Sequence, residues 1–390
     1  MDWREDLDFE IGWTRNNLRI LGIWPDSGRP GKDSLFYRYK FLIPSMLMLI
    51  YIILPQTLYL FFAWGDLEHC VDALLTADVP ILTALIKFLS FSYHREAINS
   101  IVSFVTEDWK RPKSREERET MMRNAKIARG ISLRISILLY LAMAAHVASH
   151  IATEVRRRLS NDTNLEPQVL LRGYYPFDTK KSPNYELLSF MQLISGIGGA
   201  LSYSNVDSFV GATILHVCAQ FSNLRFLAAK MLRKAEKQEP LEFRKTLRII
   251  VERHTSLTWV TLVIEECFNK MFLAQTVSTG EKETLVLRSI FFIVFTGAML
   301  VHFFVYCYVG EMLYGQSAGL CDTLYESNWY EMPPENIRDL MVIMVATKKP
   351  IYITAGKFFP FLFDTFTNVL KSSMGYLSVL VAMRDRLVEA

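Results

Sequence analysis

The sequence predicts an all-α membrane protein of seven transmembrane helices, with a cytoplasmic N-terminus, an extracellular C-terminus and a cytoplasmic helical anchor layer. Three observations predict it. Hydrophobic residues make up 51% of the 390, above the usual level for soluble globular chains. Seven segments approach the roughly 20 mostly apolar residues that a bilayer-spanning helix needs: 41–64, 73–93, 133–153, 187–210, 256–280, 288–310 and 358–383. Lys and Arg are also unevenly placed, with roughly three times as many on one side of these segments as on the other. The rich side includes the N-terminus, so the positive-inside rule puts that end in the cytoplasm and, with an odd number of spans, the C-terminus outside.

Taken in order, residues 1–40 hold seven Lys or Arg and no apolar core. No cleavable signal peptide is expected there, and span 1 acts as an uncleaved anchor. Pro44 and Pro55 are expected to bend span 1, which membrane helices tolerate. Span 2 is interrupted by Asp78 and by Lys87; Lys87 is read as snorkelling to the inner interface. The charged stretch 107–129 extends helices 2 and 3 into the cytoplasm. The basic stretch 225–257 and residues 311–350 complete a packed layer of helix ends there.

Span 3 carries His146 and His150 at i, i+4. A metal needs further ligands that are not evident nearby, so lining a polar cavity or structural hydrogen bonding is expected instead. The following outer loop, 154–186, has no cysteine but holds the sequon Asn161-Asp162-Thr163 on the lumenal side, which makes Asn161 the expected glycosylation site. In span 4, Gly196, Gly198, Gly199 and Ala200 either form a close-packing surface or leave room for a ligand beside Met191 and Ser195. Span 5 is interrupted by Glu265, Glu266 and Lys270. Span 6 contains the uncharged run Ser289–Gly310. On the final helix, Asp364 and Lys371 lie seven residues apart, on one face but about two turns apart, which suits partners on neighbouring subunits or the lining of an aqueous pore.

Enzyme signatures are missing: there is no H-E-x-x-H, G-x-S-x-G, Walker loop or C-x-x-C pair. No cofactor and no nucleic-acid partner are expected. A G-protein-coupled receptor is disfavoured by the inverted charge pattern and by the lack of Asn-Pro-x-x-Tyr in span 7. A solute transporter is disfavoured by the lack of repeats.

The chain resembles the insect odorant receptor family in four places along most of its length. Gly173-Tyr174-Tyr175-Pro176-Phe177-Asp178 with Ser182-Pro183-Asn184-Tyr185-Glu186 resembles that family's second outer loop. Asp207 is similar to its acidic residue in span 4. Tyr306-Cys307 with Gly310-Glu311, then Ser317, Leu320, Tyr325 and Trp329, resembles the end of span 6 and the following loop. The fourth place runs from Lys349-Pro350 through Thr354-Ala355-Gly356-Lys357-Phe358-Phe359 to Thr365-Phe366, Ser373 and Tyr376. Ser373-Met374-Gly375-Tyr376-Leu377 departs from the usual Ser-Tyr-Ser-Tyr-Phe-like run. The short loop between spans 4 and 5 is unlike the co-receptor's large insertion.

The resemblance implies an odorant-tuning subunit of a heteromeric, odorant-gated, non-selective cation channel, with co-receptor subunits as partners in a tetramer. It further implies a place in the plasma membrane of olfactory sensory neurons, on the dendrite. The final helix then lines the pore, with Val379 and Met383 at a hydrophobic constriction that gates by dewetting and Ala382 near the position of the co-receptor's polar ring. A volatile ligand is expected in the outer half of spans 2, 3, 4 and 6. The expected contacts, chosen by depth and chemistry, are Leu75, Val79, Ala145, His146, Ser149, Met191, Ile194, Ser195, Phe292 and Phe295.

Overall fold

A computed structural model describes residues 2–25, 39–62, 79–159, 167–234, 240–278 and 288–389. The chain starts with an amphipathic helix, α1 (Trp3–Ile20), whose first turn is capped by the Asp2 carboxylate accepting from the Arg4 N–H at 3.0 Å. Then follow α2 (Leu42–Phe62), α3 (Val79–Tyr93), α4 (Arg95–Lys110), α5 (Arg115–Leu159), α6 (Asn184–Lys234), α7 (Pro240–Ser278) and α8 (Arg288–Tyr325). After a single 3-10 turn come α9 (Pro334–Thr347), a two-stranded hairpin of β1 (Thr354–Ala355) and β2 (Phe359–Pro360), and α10 (Phe363–Glu389).

Helices α2 and α5 are each long and apolar enough to cross a membrane. Their apolar side chains also face outward. Ile43, Met46, Ile50, Leu54, Leu58 and Phe61 form an exposed stripe along α2 at helical spacing. Water would penalise such a surface, whereas hydrocarbon does not. The interior, by contrast, is built around α6, which packs on α1, α2, α3, α5, α7 and α8. Between Ser202 and Phe221 nearly every α6 side chain is buried, polar ones included.

Most helices outrun the segments predicted for them. At 45 and 51 residues, α5 and α6 are each more than about 65 Å long, at least twice the hydrocarbon thickness. The apolar windows 133–153 and 187–210 cover only part of each helix, because the charged stretches beyond them are helical as well. Within span 1 the helix opens into a π-turn, Leu49–Ile53, ahead of Pro55, where proline removes a helical N–H.

One boundary is corrected. The final span does not begin at Phe358, because residues 354–360 form the hairpin and helix starts only at Phe363. Gly356 (φ 58°) and Lys357 (φ 65°) both take the left-handed conformation, the geometry of a tight hairpin turn. The Gly356 N–H donates to the Asn269 carbonyl at 2.8 Å, and a Cβ there would lie 2.8 Å from Leu273, so glycine also allows the close approach to α7. The Glu311 carboxylate accepts from the Phe363 N–H at 3.1 Å, placing a negative charge at the N-terminus of α10.

Candidate functional site

Small residues open a cavity between α2, α3, α5, α6 and α8. Ala84 on α3, Ala142 on α5, and Gly196, Gly199 and Ala200 on α6 leave a space of about 120 Å³. It is completed by Ile52, Pro80, Ile81, Leu139, Met143, Val147 and Met299, and roofed by Leu170 and Leu171 of the loop before α6. The polar residues on its wall are His146, Gln192 and Tyr203. An apolar cavity of about 150 Å³ in a soluble protein binds benzene, so this volume and lining suit a small, mostly apolar molecule with few polar groups.

The roof is held by one amide. Gln192, fully buried, accepts from the Leu171 N–H at 3.0 Å and donates to the Leu171 carbonyl at 2.8 Å and to the Tyr175 hydroxyl at 2.6 Å. Tyr175 in turn donates to the Tyr51 carbonyl at 3.0 Å. That carbonyl lies four residues before Pro55, which has no N–H to offer it; the loop tyrosine takes the missing donor's place. Burial pushes the Tyr175 phenol up to about 12, partly offset by the Gln192 hydrogen bond, so it remains a neutral donor. Gln192→Met keeps the shape and removes three hydrogen bonds. It is expected to cost about 1–3 kcal/mol, read as a lower melting temperature of the detergent-solubilised chain; an unchanged melt would show that the loop is held by other contacts.

Beside the cavity lies a buried charge cluster. The Lys87 ammonium contacts both Asp207 oxygens, at 2.8 and 2.7 Å, and sits 3.4 Å from the centroid of the Tyr203 ring. His302 Nε2 lies 3.3 Å from the same carboxylate. Tyr203 and Met299 line the cavity and also adjoin this cluster, the Tyr203 hydroxyl donating to the Met299 sulfur at 3.1 Å. One turn beyond Met299, Phe303 packs on Phe361 and Phe366, and Phe304 on Phe363. Aromatic contacts thus join the cavity-lining helix α8 to α10.

The family model described as 7tm Odorant receptor covers residues 71–374. The chain belongs to the odorant receptor family. Odorant receptor 2a of Drosophila melanogaster is 25% identical over 226 residues, spanning 51% of this chain and 55% of that protein, little more than half its length. Odorant receptor 9a of the same fly is 24% identical over 330 residues, 79% of this chain and 80% of that one. The odorant receptor coreceptor of Harpegnathos saltator is 21% identical over 354 residues, 64% of this chain and 73% of that one. The fold is that of the insect olfactory receptor OR5 from Machilis hrabei, with a TM-score of 0.81 at 15% identity over 95% of this chain and 97% of that one. Its complex with eugenol gives 0.78, also at 15% identity, over 96% and 100%. This odorant receptor family member is therefore an all-α membrane protein.

The family member's expected ligand contacts fall unevenly on the cavity. His146 lines it. Val79, Ala145, Ser149, Met191, Ile194 and Ser195 do not. On each helix the lining positions are offset by one or two residues, and one residue rotates a side chain by about 100°. Ala145 and Ser149 point outward, while Ala142, Met143 and His146 point in. On α6 the wall is Gln192 and Gly196, whereas Ile194 is exposed and Ser195 bonds the Leu47 carbonyl at 3.1 Å. Leu75 and Asn161 lie outside the described residues, as do the side chains of Phe292, Phe295, Val379, Ala382 and Met383.

Other expectations are settled by contacts. Lys87 does not snorkel: it is fully buried and paired with Asp207. His150 Nε2 sits 3.5 Å from the Tyr185 hydroxyl. The missed roof residues, Leu170 and Leu171, carry a signal in hindsight: two leucines directly precede the Gly173-Tyr174-Tyr175-Pro176 motif.

Proposed function

We propose that this chain is the odorant-binding subunit of a heteromeric, odorant-gated, non-selective cation channel whose partners are co-receptor subunits, in a tetramer. The observation that carries the reading is the roofed apolar cavity between α3, α5, α6 and α8. Its volume and its few polar groups suit a small volatile molecule. The complex of the similar-fold OR5 with eugenol supports the ligand class. The coreceptor relative supports the partnership.

In this reading α2, α3, α5, α6, α7, α8 and α10 are the seven spans. The N-terminus and the polar helix ends lie in the cytoplasm, and the cavity lies in the outer half of the bundle. Leu75, Phe292 and Phe295 remain expected contacts beside His146. Helix α10 lines the pore, with Val379 and Met383 one turn apart at the constriction and Ala382 beside them. Asp364 and Lys371, both exposed on α10, face neighbouring subunits. Asn161 carries a glycan on the outer side, and the protein resides in the dendritic plasma membrane of olfactory neurons. A ligand opens the pore only by binding the open arrangement more tightly.

Whole-cell recording with and without a family co-receptor, during a volatile panel, tests the reading. A fast cation current confined to the paired cells and persisting under G-protein block is expected; a current that needs G proteins would overturn it. Among agonists found, Ala142→Leu is expected to raise the half-maximal concentration at least about tenfold by filling the cavity. Surface delivery, measured by a C-terminal tag on unpermeabilised cells, should be kept. Unchanged potency would place the ligand elsewhere.

A further inference from the structure

The loop between α4 and α5, Arg111-Pro112-Lys113-Ser114, holds an exposed serine among basic residues, with exposed Arg115 directly after it. We propose that Ser114 is a phosphorylation site for a protein kinase that selects arginine three residues before its serine. The inference rests on the reading above that places the charged helix ends in the cytoplasm, where kinases meet ATP.

Spacing alone does not select this serine. Arg253-His254-Thr255-Ser256 repeats the same arginine-to-serine spacing, and Ser256 is exposed too. A kinase takes its acceptor in an extended segment laid across its cleft, so backbone and side-chain commitments decide. Ser256 lies within α7, its hydroxyl donates to the Glu252 carbonyl at 2.9 Å, and Arg253 donates to Asp108 at 2.8 Å. The Ser114 segment differs on each count. Arg111 is exposed and its backbone is extended (φ −63°, ψ 142°), and residues 111–114 belong to neither helix. Only the first turn of α5 has to open to admit Arg115, and the first N–H groups of a helix have no intrahelical bonds to lose.

The transfer is an ordinary phosphoryl displacement. Ser114 Oγ bonds to the γ-phosphorus of kinase-bound Mg-ATP, the bond from that phosphorus to the β–γ bridging oxygen breaks, and ADP leaves. The hydroxyl proton passes to the kinase's catalytic aspartate. The product carries roughly −1.5 to −2 charge at pH 7. Exposed Arg111 and Arg115 flank it as countercharge. Ser114 already caps α5, its Oγ accepting from the Glu117 N–H at 3.2 Å, and a phosphate oxygen can take over that role. The new charge falls where three helices meet: Lys113 donates to the Asp108 and Trp109 carbonyls of α4 at 2.7 and 2.9 Å, and Arg118 of α5 holds Asp6 of α1 at 2.7 Å.

The test uses the purified full-length chain in detergent, Mg-ATP and the catalytic domain of a calcium/calmodulin-dependent protein kinase, which has this selectivity. Phosphate is located by mass spectrometry. It is expected on Ser114 and not on Ser256, and Arg111→Ala is expected to slow labelling of Ser114 at least about tenfold. An unlabelled Ser114, equal labelling of Ser256, or an Arg111→Ala rate like that of the unsubstituted chain each overturns the proposal without touching the topology. The same mapping is then made on the chain recovered from intact cells expressing the active kinase. Phosphate on Ser114 there supports the site in place. A bare Ser114 in cells, after labelling of the purified chain, would put the loop outside the cytoplasm and overturn both the site and the topology it rests on.

Discussion

Asp207→Ala is expected to destabilise the chain by about 3–5 kcal/mol, the range for removing one partner of a buried ion pair. The effect is large because Lys87 has nowhere to go. Its side chain is 0% exposed, and its ammonium contacts the two Asp207 oxygens and the Tyr203 ring face. Cation–π attraction supplies only about 2 kcal/mol even when desolvated, too little to hold a bare ammonium inside the bundle. The same reasoning predicts a rescue. Lys87→Met combined with Asp207→Leu removes both charges at similar volume, and such replacements of buried pairs are often neutral or stabilising. A melting series of the two single variants and the double variant measures the coupling. Two mild single variants, with additive effects, would show that the pair contributes little.

That pair also marks where reading the sequence reaches its limit. Lys87 and Asp207 are separated by 120 positions. Nothing local to Lys87 distinguishes a snorkelling lysine near a span end from one buried against a distant carboxylate. Both fit the same apolar context, and only the packing of α3 on α6 selects one. The long apolar runs were legible for the opposite reason: hydrophobicity over 20 or so residues is a local property of the sequence. The polar ends of α5 and α6 lie beyond that criterion, and their helicity depends on packing in the charged layer.

The site was legible in composition but not in direction. Gly196, Gly199 and Ala200 stood out as small residues, read as either packing or ligand space. The structure uses them for both: Gly196 and Gly199 face Met143 and Ile81 closely and also line the cavity. Which face of α5 turns inward depends on the rotation of a long helix about its axis. The lining residues Met143 and His146 lie two and one positions from Ala145, which faces the other way. The hairpin after β1 was hidden for a different reason. Phe358-Phe359 continues an apolar run into the last helix, and the glycine and lysine before it reveal a turn only once their backbone angles are known.

The second large effect lies in the layer beneath the bundle. His216, beyond the predicted span 187–210, is 1% exposed and stands between two carboxylates, Nδ1 to Glu10 at 3.1 Å and Nε2 to Asp108 at 3.3 Å. Trp109 Nε1 donates to Glu10 at 2.5 Å, and Arg253 donates to Asp108 at 2.8 Å. Burial alone would lower the imidazole's affinity for its proton, but Glu10 and Asp108 outweigh it and hold the group up at about 10. The ring is therefore an imidazolium donating from both nitrogens, and it clamps α1 to α4 and α6. His216→Gln keeps hydrogen bonding but removes the charge that balances Glu10, so a loss of about 3–5 kcal/mol is expected at neutral pH. The sign of its pH dependence follows from linkage. A group bound more tightly to its proton in the folded state stabilises fully below its ordinary value near 6.5. That contribution fades as pH rises towards about 10. Melting curves of the two proteins should accordingly lie furthest apart near pH 6 and converge by about pH 10. Curves that stay parallel over this range would mean that His216 is neutral in the folded chain and that the clamp is held by the Trp109 and Arg253 contacts alone.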